Sequence, residues 1–206
     1  MAPGYIFSDG PKTLAPVHPP VGVFPGYIAQ QPTTLVLKEK VLSWSGDDFG
    51  VKDQNGNVVV RVAGKVMSLR QRKVITDASG QTLFVLKNKI LTIMKKFIGE
   101  DADGKPLFEV HHKLGIKTKV EITFNNVATK TPGKLTLKGD MWGGNADILN
   151  ENGQVVAQIH RDLWNKRDFF ADKQTYYVWV PPGVDLALIA AICVAFDEIK
   201  NEKNNH

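Results

Sequence analysis

Gly56, Gly80 and Gly104 stand at a constant spacing of 24 residues, and Gly153 follows about two such periods later. Each follows Asn or a small polar residue and precedes a short apolar alternation. With Gly133 taken as a degenerate member of the series, the fourth position after each glycine reads Val60, Phe84, Phe108, Leu137 and Ala157, apolar in all five. The fifth reads Arg61, Val85, Glu109, Lys138 and Gln158, polar in four of the five. Opposite polarity on adjacent residues is the period of a strand with one buried face. The turns Gln54-Asn55-Gly56-Asn57 and Glu151-Asn152-Gly153-Gln154 carry the Asn-Gly chemistry of tight hairpins, which need positive φ. A second break falls midway through the period, near Arg70 to Lys73 and near Asn88, so each period holds two strands. Six periods between Thr33 and Val180 predict about a dozen antiparallel strands, the pattern of a sandwich or barrel.

The pattern stops at Pro181-Pro182-Gly183. Asp185 is placed to cap a helix, and Leu186 to Phe196 is apolar on every side. A helix apolar all round is buried all round, either in a membrane or inside the protein itself. A bilayer span needs about 20 predominantly apolar residues, whereas this run has eleven before Asp197 and Glu198. Four alanines and a cysteine suit a tight cylinder, so the favoured home is the inside of the barrel, with a tail anchor as the alternative.

The first 32 residues hold seven of the eleven prolines and only two charged residues, Asp9 and Lys12. Such a stretch lacks backbone donors and helix periodicity and reads as an extended, disordered leader over residues 1–32. Its polyproline character offers a second use, recruitment of a protein partner. Residues 33–202 then form a single barrel domain. Met1 to Lys12 has neither the basic start nor the apolar core of a secretory signal. Cys193 is the only cysteine, which excludes an intramolecular disulfide and a Cys-based zinc site and favours a reducing, cytoplasmic location.

A β-barrel closed around a C-terminal apolar helix resembles the Tubby C-terminal-like superfamily, and the residues look most like its LURP-one-related family. The matching stretches are Phe49 to Gly56, Asp77-Ala78-Ser79-Gly80 with Leu83-Phe84, Ala157-Gln158-Ile159-His160-Arg161, and Gly183 to Ala187 leading into the helix. Resemblance covers about residues 27 to 202. Where many members carry an Arg-Trp pair, this chain has Lys95-Lys96-Phe97. The resemblance implies the fold, an association with plant defence and no established reaction. By analogy with Tubby domains, which bind phosphoinositides, and scramblases, which work at membranes, it also implies a lipid-headgroup role. A scramblase-like membrane protein is the variant that goes with the tail-anchor alternative.

Charge points the same way. From Arg61 to Lys119 there are 13 Lys and Arg against 5 Asp and Glu, a net of +8, while the remainder of the chain nets −3. Arg70 and Arg72, Lys87 and Lys89, and Lys117 and Lys119 are spaced two apart, so each pair shares one strand face. With Lys95 and Lys96 these eight form the candidate surface for anionic phospholipid headgroups, the competing reading being a solvated wall whose lysines block edge association. Nucleic acid is the less favoured anion, because no recognition helix or aromatic-rich RNA motif accompanies the charge. The alternation sends His111 and His160 outward and His112 the other way, and no metal-ligand spacing joins them, so no metal is expected. Asp101 and Asp103 precede Gly104 and read as turn residues. Without a nucleophile elbow, a Walker loop or a dinucleotide-binding fingerprint, neither a catalytic residue nor a cofactor is expected.

Overall fold

The alternation resolves into twelve strands in the computed structural model, which describes residues 14–38, 49–63, 72–89, 95–113, 119–140, 145–161 and 175–204. These are β1 (Thr33–Lys38), β2 (Phe49–Asp53), β3 (Val58–Ala63), β4 (Arg72–Thr76), β5 (Thr82–Lys89) and β6 (Lys95–Glu100). Then follow β7 (Pro106–Lys113), β8 (Lys119–Asn125), β9 (Pro132–Asp140), β10 (Asn145–Asn150), β11 (Val155–Arg161) and β12 (Thr175–Val180). Each pairs antiparallel with its sequence neighbour, and β1 closes the barrel by pairing along its whole length with β12, Thr33 opposite Val180 and Lys38 opposite Thr175.

Inside lies the helix α1 (Leu186–Asn204), and every residue from Ala187 to Phe196 is at most 3% exposed. Twelve strands about 4.8 Å apart and tilted about 40° make a cylinder roughly 24 Å across its backbone, and two layers of inward side chains leave space for one helix. The strands supply those layers by alternation: Phe84 and Leu86 of β5, Phe108 and Val110 of β7, and Tyr176, Val178 and Val180 of β12 are buried. Asp185 caps the helix as expected, its Oδ1 accepting from the N–H groups of Ala187 (2.9 Å) and Leu188 (3.1 Å). Among the described residues no helix is long and apolar enough to cross a membrane.

The periodic turns differ from the tight form that Asn-Gly suggests. Only the glycines have positive φ, at 85° for Gly56, 93° for Gly80, 81° for Gly104 and 78° for Gly153. A two-residue type I′ turn would need it at both central residues. Instead an Asp or Asn three residues before each glycine folds the loop. Asp53 Oδ1 accepts from the N–H groups of Asn55 and Asn57, Asp77 from Ser79 and Gln81, Asp101 from Asp103 and Lys105, and Asn150 from Asn152 and Gln154, all at 2.8–3.1 Å. Each of these four turns ends in a register shift that absorbs the extra residue. Gly133 is not a turn residue. It lies within β9, where a Cβ would come 2.9 Å from the Phe124 ring, and the positive φ of that connection belongs to Lys130 at 60°.

The part of the proline-rich leader that is described, residues 14–32, is not a free tail. Val17 and Ala29 are buried at 1% and 5%, and Val21 and Ile28 form bridges to Val184 and Asp185. Residues 1–13, assigned to the same leader, lie outside the described residues.

Candidate functional site

The basic segment maps onto one side of the barrel. On β5, Phe84 and Leu86 face the core, so Lys87 and Lys89 face outward; the same alternation turns Arg72 of β4 and Lys96 of β6 outward. Register brings these four together across three adjacent strands, with Arg72 opposite Lys87 and Lys89 opposite Lys96. Directly opposed residues place their Cβ atoms about 5 Å apart, so the four cations share one small outer patch.

The wall is not uniformly positive. Lys87 is paired with Glu100, and Lys96 with Glu109 at 2.8 Å. Glu109 also accepts from His111 Nε2 at 2.9 Å. Partial burial pushes the Glu109 carboxyl up, but the bonds from Lys96 and His111 outweigh it and hold it below the ordinary glutamate range. One strand further, Glu121 stands opposite His111 and binds Lys134 of β9 at 2.8 Å. Arg72 and Lys89 are exposed and have no carboxylate partner among the described residues. The patch therefore combines two cations held by carboxylates with two that have no carboxylate partner among the described residues.

The remaining candidates divide. Lys95 occupies the register position opposite His112 at the start of β6. Lys119 lies on β8 opposite Lys113. Arg70 and Lys117 lie outside the described residues. Spacing found the outward cations, whereas Glu100, Glu109, Glu121 and Lys134 went unread, because strand register decides which acid meets which base.

The other polar groups bear out their expected faces. His111 and His160 point outward, on strands separated by β8, β9 and β10. His160 stacks on Trp179 with ring centroids 5.4 Å apart, and its Nδ1 lies 3.0 Å from Asn145 Oδ1. Among the described residues no cluster of His, Cys, Asp or Glu is arranged to hold a metal ion. The Asp101 carboxylate is used by its own turn, as expected.

Comparison with known proteins fits this geometry. Protein LURP-one-related 15 of Arabidopsis thaliana is 26% identical over 96% of this chain and 95% of its own length. Protein LURP-one-related 10 of the same plant is 23% identical over 87% of this chain and 96% of its own. An Arabidopsis thaliana protein solved by X-ray crystallography superposes with a TM-score of 0.62, covering 86% of this chain and 97% of that one at 22% identity, a likeness of fold. The family model described as LURP-one-related matches residues 33–197, which run from the first strand of the barrel into the helix that fills it, and the chain belongs to that family.

Proposed function

We propose that the chain is a non-enzymatic module that docks on anionic phospholipid headgroups through the β4–β6 wall, as a peripheral protein of the cytoplasmic membrane surface. The observation that carries this reading is the cross-strand patch of Arg72, Lys87, Lys89 and Lys96. Two of its members are pinned by Glu100 and Glu109, and two are left with charge to spend on phosphate. Each basic residue near an anionic bilayer contributes about 1 kcal/mol. Likeness of fold to phosphoinositide-binding Tubby domains supports the same anion, though only as analogy. A barrel filled by its own helix has little interior left for a substrate, which supports binding rather than catalysis. Recruitment of a partner through the proline-rich segment has less support, because residues 14–32 are already engaged with the barrel end.

Flotation with vesicles of phosphatidylcholine alone, and with added phosphatidylinositol bisphosphate, tests the reading. The chain should float only with the anionic vesicles, and less as salt rises. Replacing Arg72 and Lys89 by Gln removes about 2 kcal/mol, so partitioning should fall roughly 30-fold. Lys52→Gln, an exposed change on β2, should leave it unaltered. Equal recovery on neutral and anionic vesicles would remove the lipid reading.

A further inference from the structure

Gly183, Val184 and Asp185 link β12 to α1, and residues 21–29 pass along both sides of that link. On one side Val21 N–H donates to Gly183 O at 2.8 Å and Asp185 N–H to Val21 O at 3.0 Å. On the other, Ala29 N–H donates to Val184 O at 2.9 Å and Gly183 N–H to Ala29 O at 2.8 Å. Between these contacts the N–H groups of Val23 and Phe24 donate to Asp185 Oδ2 at 2.8 and 2.7 Å. The other oxygen of the same carboxylate caps the helix. One carboxylate at 0% exposure thus joins two backbone segments more than 160 residues apart in the chain, each supplying two N–H donors.

The segment is anchored well beyond Asp185. Val17 N–H donates to Pro182 O at 2.9 Å, and Gln154 of the β10–β11 turn donates to Pro16 O at 3.0 Å. Asn126 Nδ2 donates to Pro20 O and Val127 N–H to Gly22 O, both at 2.9 Å, from the β8–β9 turn. Phe24 stacks on Phe84 at 5.4 Å, so the segment also reaches β5. Two glycines permit the approach: a Cβ on Gly22 would lie 2.3 Å from Asp185 Cβ, and one on Gly183 would lie 2.1 Å from Val17 O. An extended tail without a structural task would not have its backbone donors paired in this way.

We propose that residues 14–32 are a latch that holds α1 in the barrel, with Asp185 as its catch, so that the folding unit includes them and does not start at residue 33, where the family match starts. The latch grips the helix at its entry, the one point where α1 is joined to the wall. Breaking it frees the end from which the helix would leave.

Cys193 reports the outcome. It is the only thiol, lies within α1 at 3% exposure, and is pushed up to about 12 by burial, so a thiol reagent reaches it only when the helix leaves the barrel. Gly22→Ala places a Cβ against Asp185 and should speed labelling at least tenfold under native conditions. Gly26→Ala, in the same segment with nothing within 4 Å of the new Cβ, should leave the rate unchanged. Labelling at the unsubstituted rate in Gly22→Ala would overturn the latch. If that variant does not fold, hydrogen exchange on the unsubstituted chain decides. The amides of Val17, Val21, Val23, Phe24 and Ala29 should be protected together with those of Ala187 and Leu188. Free exchange of those five beside a protected helix would equally sink the proposal.

Discussion

Ala190 of α1 is 0% exposed and Leu188, one of the largest fully buried side chains, is 1% exposed. In a cylinder closed by β1–β12 pairing, the wall has no free edge along which to spread and accommodate a thicker helix. Ala190→Leu adds three carbons where none is accommodated, and overpacking of this kind costs about 1–3 kcal/mol. Leu188→Ala removes three and leaves a cavity, at about 3–5 kcal/mol. For a chain of this length each kcal/mol lowers Tm by about 2–4 °C, so the two variants should melt about 2–12 °C and about 6–20 °C lower. Val85→Ala, on the outward face of β5, should shift Tm by far less. Calorimetry on the three variants is sufficient. The signs discriminate between homes for the helix, because a bilayer anchor gains from Leu in place of Ala, whereas a filled cylinder is harmed by both changes. An Ala190→Leu protein that melts at or above the unsubstituted temperature would refute the packing on which the fold rests.

Two further outcomes are expected. Glu109 is held below its ordinary value, so its contribution is present at neutral pH and fades as pH falls from about 4.5 through the lowered folded value; urea midpoints of Glu109→Gln should lie below those of the unsubstituted chain at pH 7 and converge on them as pH falls through that range, and parallel curves would count against the Lys96–Glu109–His111 group. Gly56 and Gly99 should respond differently to Ala and Asn: Gly56 has φ 85° in open space, so Ala costs about 1–2 kcal/mol and Asn recovers part of it. At Gly99 the new Cβ lies 2.2 Å from the Phe108 ring, so both substitutions should be severe in urea unfolding, and a mild Gly99→Asn would show that the ring yields.

Much of the barrel was legible because alternation is a local property. Phe84, Phe108 and Ala157 face inward for the same reason that Lys87 and Gln158 face outward. The turn chemistry was legible too, but in a neighbouring place: Asp53, Asp77, Asp101 and Asn150 repeat three residues before each glycine, a signal hidden by attention to the Asn-Gly pairs. Gly133 misled because a glycine beneath an aromatic ring and a glycine in a turn are spelled alike. The packing of residues 14–32 was illegible for a related reason. Its prolines argue against helix and sheet, but Val17, Val21, Phe24 and Ile28 stand among them, and their partners lie near the other end of the chain. In the candidate patch, spacing placed Lys87 and Lys89 on one face, while the pairing of Lys87 with Glu100 depends on the register of β5 against β6, which no local pattern displays.

The position of α1 has a consequence for how the protein is made. A ribosome that has reached Val180 has delivered all twelve strands, yet none of the side chains around which they pack. The strand that closes the ring against β1 is the last of the twelve, and Asp185 is synthesised more than 160 residues after Val23 and Phe24, which bind it. Domains are generally expected to fold as units while synthesis proceeds from the N-terminus. Here the helix that fills the barrel is made after every strand of its wall. Its most vulnerable interval is therefore translation itself, when a product that ends before Leu186 has the inward side chains of the wall but not the helix against which they pack.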